Sequence, residues 1–293
     1  MVGYGFTIQG GGNAAEGPER FFVYNIFMAA TQGMCGIFTV LILAVSLPSF
    51  CGQTIESVKP MAQGEHPSFE VATVKPSKPD DHNSGFHTSG RNIFIENETM
   101  NDLISFAYGV HVKQIADAPP WFSSEHFDIQ GFPDIEGAPN VTQYREMVKK
   151  LLTDRFHLQF QLEKREMACF VLTVTKGGPK IAATKSAPDA MQDQTGSINE
   201  GHIFWRFTDN SMPEFAQFLQ MAVLDRPVVD KTGLKGKFDF NLQWTTNPDA
   251  ATDPAAAPGF ITAVQEQAGL KVEPTKAEVD VLAITHVEQP SPN

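Results

Sequence analysis

Hydrophobic and polar residues alternate at two places in the chain, and each alternating stretch leads into the spacing of an amphipathic helix. Residues 92–96 and 203–207 put apolar side chains on one face, which is the period of a half-buried strand. Thr99 and Ser211 follow them, each with an acidic residue three positions later, which is the pattern of a helix-capping box. The chain therefore predicts a strand running directly into a helix at both places.

The same order of elements continues after each of these helices. A second strand, a second helix and two closing strands follow in both places. Short segments at 164–166 and 275–277 predict hairpin turns between the closing strands, which would pair antiparallel. The predicted elements, typical of the α+β class, are helices at 100–110 and 212–223, strands at 127–132 and 237–244, helices at 141–155 and 258–268, and closing strands at 156–163, 168–175, 269–274 and 279–287.

One constant offset relates the two sets of elements. When each residue i is compared with residue i + 112, apolar residues match apolar residues, as Phe106 and Phe218 do. The pattern predicts an internal duplication of a β-α-β-α-β-β unit with antiparallel closing strands. The first copy spans 67–181 and the second 201–293, and residues 182–200 between them have the composition of a linker.

The N-terminal segment differs from the rest of the chain. Residues 21–55 contain no Asp, Glu, Lys or Arg, Arg20 precedes them, and small residues follow the apolar stretch 37–47. This is the pattern of an export signal, so residues 1–52 are predicted to be a cleaved signal peptide. An uncleaved membrane anchor is the alternative, because the uncharged run is long enough to span a bilayer. Both predictions place the folded part in the periplasm, the cell envelope or the medium, with membrane contact limited to this segment.

Charge and cysteine content narrow the classes of function. The 293 residues carry a net charge of −12 without a long basic run, which argues against nucleic-acid binding. Of three cysteines, only Cys169 lies beyond the N-terminal segment, so no internal disulfide is expected in a cleaved protein. Cys169 alternates with Met167 and Val171, which predicts a buried thiol on a strand.

Arg226, Asp230 and Lys231 form the most conspicuous polar group, in the stretch RPVVDKTGLKGKFDF at 226–240. An Asp-x-Thr-Gly segment before a strand is ordinary turn chemistry, because the aspartate caps its own backbone and glycine accepts a positive φ. A structural role is therefore favoured for Asp230, with hydrogen bonds from backbone N–H groups near Thr232 and Gly233, or an ion pair with Arg226. Arg226 could pair with Asp225 instead. A role in binding or catalysis is the alternative.

Aromatic and histidine residues give two further candidates. Trp121 and Phe122 follow two prolines in a predicted loop, where they would contact a sugar or peptide or fill the seam between the copies. The segment DDHNSGFH at 80–87 has possible metal ligands but is expected to be a solvated loop, because structural zinc sites favour four Cys or His ligands. The chain contains no common motif of nucleophilic, metal-dependent or phosphate-binding enzymes, so no catalytic residue, metal or cofactor is predicted.

Four ordered blocks carry a family resemblance: FEVATVKPS (69–77), LLTDRFHLQFQLEKREMACFVLTVTKGGPKI (151–181), RPVVDKTGLKGKFDFNLQW (226–244) and the C-terminal block 263–293. Together they resemble the soil-associated family of exported bacterial proteins, abundant in acidobacteria, whose activity is not established. The resemblance implies a secreted or envelope protein, and some members carry the domain behind a membrane metallopeptidase of the antibiotic-sensor type. The short N-terminal modules of secretins and TonB-dependent receptors are a weaker resemblance, at the level of fold.

Two functions follow as expectations. The favoured one is an exported module without catalytic activity that binds a protein, peptide or glycan in the cell envelope. A membrane sensor peptidase is one candidate for the protein partner. The alternative is a hydrolase with a non-standard carboxylate site near Asp230 or at Asp128 and Asp239. An enzyme would need a deep polar pocket with two convergent titratable groups, whereas a binding module would show a shallow groove or an unpaired strand edge.

Overall fold

The described part of the chain folds into three four-stranded sheets with helices packed on the outer two. The computed structural model describes residues 59–78, 84–89, 91–187, 192–199, 201–246 and 257–290. The fold is α+β, as predicted. The predicted signal or anchor segment, residues 1–52, lies outside the described residues.

The first outer sheet has the strand order β1-β5-β3-β2, and all its neighbouring strands are antiparallel. Two helices, α1 and α2, pack against it around a core that includes Ile95, Phe106 and Met147. Thr99 and Asp102 form the predicted capping box at the start of α1. The bounds are β1 (Phe69–Pro76), β2 (Gly85–Ser89), β3 (Asn92–Thr99), α1 (Met100–Tyr108), β5 (His126–Pro133) and α2 (Val141–Phe156).

The second outer sheet repeats this strand order as β7-β11-β9-β8. Its helices bury a second core that includes Phe207, Phe215 and Leu242. Ser211 and Glu214 form the second predicted capping box. The bounds are β7 (Ala182–Ala183), β8 (Asp193–Asn199), β9 (His202–Asn210), α3 (Met212–Phe218) with the π-helical turn Leu219–Val223, β11 (Phe238–Thr245), and α4 (Phe260–Ala263) with the π-helical turn Val264–Ala268.

The central sheet, in the order β10-β6-β12-β4, joins the two halves. Its long strands β6 (Gln159–Val174) and β12 (Leu270–His286) pair antiparallel. The short strand β4 (Ile115–Ala116) pairs parallel with β12, and β10 (Val228–Asp230) pairs parallel with β6. Each half therefore adds an edge strand to the long strand of the other half.

The predicted hairpin turns at 164–166 and 275–277 are wrong. Both segments lie inside uninterrupted strands, and β6 and β12 pair with each other rather than folding back on themselves. Neither segment contains the Gly, Asn or Pro that favours a tight reversal, and a continuous ladder satisfies their backbone N–H and C=O groups. Their polarity reflects solvent exposure, and Lys164 forms an ion pair with Asp280 across the ladder at 2.9 Å.

The segment 182–200 is not the structureless connection that its composition suggested. It contains β7 and β8, which form the two edges of the second outer sheet. Small polar residues can form an exposed edge strand as readily as a linker, so composition alone does not separate the two. The matching strand orders of the outer sheets are what a duplication predicts, and the duplication itself stays a hypothesis.

Cys169 lies on β6 with its side chain fully buried, which confirms the predicted location of the thiol. It packs with Val279 and Val281, and Met167 borders the same cluster. Burial raises the pKa of the thiol, although a backbone hydrogen bond from Ala277 acts in the opposite direction. Its environment is that of a small hydrophobic residue.

Candidate functional site

A groove of about 300 Å³, with two carboxylate and two amide side chains in its lining, lies where the two halves of the described chain meet. The C-terminal cap of α1 contributes one wall, α3 with its π-helical turn contributes another, and the edge strand β10 contributes the third. This volume is at the lower end of the range for ligand pockets in proteins. The lining residues are Gly109, Pro213, Glu214, Ala216, Gln217, Gln220, Val228 and Asp230.

Asp230 reaches the groove from the last position of β10. Its Oδ1 atom accepts hydrogen bonds from the Thr232 backbone N–H at 2.9 Å and from the Thr232 hydroxyl at 2.7 Å. This is the turn-capping role expected from the sequence, with Thr232 as the partner. Within the described residues, Oδ2 of Asp230 has no hydrogen-bond partner, so half of this carboxylate remains available to a ligand.

Gln220 holds the three walls together. Its Nε2 donates to the Gly109 carbonyl oxygen at 2.8 Å, and its Oε1 accepts from the Val228 backbone N–H at 3.0 Å. The side chain is buried, in the π-helical turn that extends α3. Such turns occur often at functional sites, and here the turn brings Gln220 between α1 and β10.

Glu214 and Gln217 also have defined contacts within the protein. Glu214 Oε2 accepts from the backbone N–H and the hydroxyl of Ser211 at 2.7 and 2.8 Å. Gln217 Oε1 accepts from Arg145 of α2 at 2.6 Å, which leaves its amide N–H groups for other acceptors. The groove therefore combines two carboxylates with oriented amides.

Arg226 and Lys231 do not join Asp230 in the groove. Arg226 donates to Asp225 at 3.3 Å, and its guanidinium lies 5.6 Å from the centre of the Phe170 ring. Of the two acceptors predicted for Arg226, the structure has Asp225, and the ion pair with Asp230 is not formed. Lys231 is exposed, and its backbone N–H donates to Leu172 in the β10–β6 ladder.

The prediction of Phe122 as an exposed contact residue is wrong. Its side chain is 1% exposed in the first core, at the 3₁₀ turn Pro120–Ser123. Trp121 is half-buried, 4.8 Å from Phe122 and 6.2 Å from Phe127 between ring centres. The two aromatic residues fill the core of the first half, because the preceding prolines direct the chain inward into a helical turn rather than an open loop.

Asp128 and Asp239 have the same role in the two halves. Asp128 Oδ1 accepts from the Asn97 backbone N–H at 2.9 Å, and Asp239 Oδ1 accepts from the Asp209 backbone N–H at 2.9 Å. Asn97 and Asp209 have φ values of 52° and 56° at strand irregularities in β3 and β9. The hydrogen bond from Asp209 holds the pKa of Asp239 below its usual value. These carboxylates stabilise bulges, which accounts for their presence without catalysis.

His111 lies next to the groove wall formed by Gly109. It is buried, and its Nδ1 accepts from the Lys113 backbone N–H at 3.1 Å. Burial and the nearby Lys113 ammonium lower its pKa to about 4, against a smaller opposing effect of Asp225. The Lys113 ammonium in turn donates to the Asp225 carbonyl oxygen at 2.6 Å, which ties the halves together beside the groove.

The described residues show neither a metal-binding cluster nor a helix that could cross a membrane. No group of three or more His, Cys, Asp and Glu side chains in the described ranges could hold a metal ion. His87, from the segment predicted as a loop, lies on β2 and stacks on Phe94, whereas 80–83 lie outside the described residues. Among the helices that the structure describes, none is long and apolar enough to cross a membrane.

A family model described as a protein of unknown function, DUF3738, matches residues 101–287. The chain belongs to the DUF3738 family. Neither a curated protein nor a solved structure matches it. All residues of the groove, from Gly109 to Asp230, lie inside the DUF3738 region, together with the whole central sheet.

Sequence reasoning found Asp230 in this DUF3738 chain but missed the other walls of the groove. Gly109, Gln217 and Gln220 come from separate elements, and no motif joins them. At the offset of 112 residues, Gln217 and Gln220 align with Ser105 and Tyr108, but most other positions of these two helices also differ. The comparison of the two halves therefore gives no signal for these residues.

Proposed function

We propose that this protein is an exported module of the cell envelope or extracellular space that binds a protein or peptide partner through the groove. The observation that carries the proposal is the groove itself, an open depression whose lining includes amides fixed by hydrogen bonds and a carboxylate oxygen that no described residue satisfies. Polar groups placed in this way give specificity in ligand sites. A glycan presents similar hydroxyl and amide groups and is the other class of ligand that the lining suits.

The contacts of the groove carboxylates favour binding over chemistry. Asp230 fixes the turn at Thr232, and Glu214 fixes the start of α3 at Ser211. An active site is expected to bring titratable groups within hydrogen-bond reach of each other, as a nucleophile and its base are. Within the described residues, Asp230 has no such neighbour in its hydrogen bonds, so the arrangement recognises a ligand better than it transfers a proton.

A hydrolase is the alternative, favoured by the available Oδ2 atom of Asp230. The variant Asp230→Asn separates the two functions, because Asn keeps an oxygen for the Thr232 N–H and lacks a basic carboxylate. Hydrolysis of a peptide, ester or glycoside that this variant abolishes would favour the enzyme. Unchanged background hydrolysis in the variant would favour the binding module.

Export rests on the uncharged segment 21–55 and is tested separately. N-terminal sequencing of protein recovered from the culture medium and from the envelope fraction should begin near residue 52, or the protein should remain with the membrane. A soluble product that begins before residue 28 would contradict both forms of the proposal.

The binding proposal is tested by capture from envelope extract with a groove-blocking control. Gln217→Trp places a large ring at the groove, whereas Asp154→Asn changes an exposed acid on α2 outside the lining. A partner retained by the wild type and by Asp154→Asn, and lost with folded Gln217→Trp, supports the groove as the binding site. A partner held equally by all three proteins would place binding elsewhere.

A further inference from the structure

We infer that the groove holds a basic side chain of its partner, the ammonium of a lysine or the guanidinium of an arginine. This inference rests on the proposed function and specifies what the groove recognises. Three observations carry it: the charge that the lining leaves unpaired, the backbone edge that is already occupied, and the space that Gly109 leaves for the Gln217 amide.

The charged residues in the lining are both negative. Asp230 and Glu214 line the groove, and neither forms an ion pair with a Lys, Arg or His side chain of the described chain. Of the neighbouring cations, Arg226 and Lys113 pair with Asp225, and Arg145 donates to the amide oxygen of Gln217. Lys231 is exposed outside the lining. Hydrogen bonds between a carboxylate and a cationic donor are the strong class, so a basic group gains most from Asp230 Oδ2.

The backbone of β10 is not free to accept a whole strand. Val228, its first residue, already gives its N–H to Gln220 at 3.0 Å, and α3 packs alongside this edge. Strand addition needs a row of free backbone groups, so it is blocked at this end of β10. A partner therefore enters the groove with a side chain and leaves its own backbone outside.

Gly109 leaves space for the Gln217 amide at the junction of the halves. It has a φ of 68°, and a Cβ atom there would meet the Gln217 amide, whose carbon would be 2.8 Å away. The Gln217 amide therefore lies over this position, in the lining of the groove. In the first half, Asp102 takes the position that corresponds to Glu214 and Ala118 the one that corresponds to Asp230, so the Asp230 carboxylate is particular to the second half.

Three acetylated tripeptide amides test the inference, with Lys, Arg or Gln between two glycines. Each is titrated into the full chain at low and high salt, with the backbone and side-chain N–H resonances of Gly109, Gln217 and Gln220 as the readout. The Lys and Arg peptides should shift these resonances, and added salt should weaken the response. The Gln peptide should leave them unchanged.

Two charge-removing variants retain the local fold. Asn at position 230 can still cap Thr232, and Gln at position 214 still suits a capping box. Asp230→Asn should weaken binding of the basic peptides at least about tenfold, and Glu214→Gln should weaken it less, because its carboxylate is shared with Ser211. Asp154→Asn, which removes the same charge on α2, should bind like the wild type.

Several outcomes would overturn the inference. An equal response to the Gln peptide, or full binding of basic peptides by folded Asp230→Asn, would show that charge in the groove is not the determinant. A captured partner that Gln217→Trp loses and Asp230→Asn retains would leave the proposed function standing and refute the basic side chain. If both variants still captured the partner, the groove would be refuted as the binding site.

Discussion

Gln220 provides the sharpest test of how the groove is built. Replacing it with leucine keeps the size of the side chain and removes both of its hydrogen bonds. The Val228 N–H would then be buried without a partner, since Val228 is only 9% exposed. Gly109 is only half-buried, so its carbonyl oxygen is more readily rehydrated and the loss of its hydrogen bond costs less.

The expected loss follows from these two environments. A buried polar group left without a partner costs roughly 1–3 kcal/mol, and a rehydrated one costs much less. Gln220→Leu should therefore lower the free energy of unfolding by about 1–3 kcal/mol. In a chain of this size, that corresponds to a fall of roughly 3–10 °C in melting temperature.

Thermal and urea unfolding of matched variants measure the effect. Gln265→Leu is the control, because Gln265 is exposed in the other π-helical turn and should change stability little. Gln220→Glu keeps an acceptor for Val228 and lacks the donor to Gly109 at neutral pH, so its stability should recover in acid. If Gln220→Leu melted within about 1 °C of the control, against the fall expected from its size, the hydrogen bonds of Gln220 would not hold the walls of the groove together.

Three further predictions concern other parts of the chain. Cys169 should react with a thiol reagent only on unfolding, and rapid labelling of the native protein would contradict its burial. Because the folded pKa of His111 is about 4 and its unfolded value is near 6.5, stability should fall as pH drops between these values and level off below pH 4. His111→Asn keeps an acceptor for the Lys113 N–H. Its stability, measured by urea unfolding, should fall less over the same pH range. Asp239→Ala should lower the free energy of unfolding by roughly 1–3 kcal/mol, because the Asp209 N–H loses its acceptor. Asp239→Asn should lower it much less. Equal melting temperatures of the two variants would refute the bulge-capping role.

Local signals in the sequence specified much of the fold. The capping boxes at Thr99 and Ser211 mark real helix starts, because they depend on residues three positions apart. The period of two placed Cys169 on a buried face of a strand. The wrong predictions involve distant partners: whether 164–166 turns or continues depends on β12, more than a hundred residues away.

The candidate site shows the same limit of sequence reasoning. The capping role of Asp230 could be predicted, because Thr232 is two residues away. Its groove could not, because Gly109 and Gln220 meet it only after β10 crosses to pair with β6. The burial of Phe122 could not be predicted for a related reason, since it depends on the core that α1 and β5 complete.

The crossing of edge strands in the central sheet has a consequence for how the chain is made. Both neighbours of β6, namely β10 and β12, follow it in sequence, so β6 must wait for residues 228–286 before either of its edges is paired. An unpaired strand invites aggregation with other chains, and charged residues are a common protection. The middle of β6 carries four consecutive charged residues, Glu163 to Glu166, which are mostly exposed in the finished sheet. We interpret this run as protection for a strand that is synthesised early and paired late, so neutralising it should increase aggregation of the nascent chain more than it lowers the stability of the folded protein.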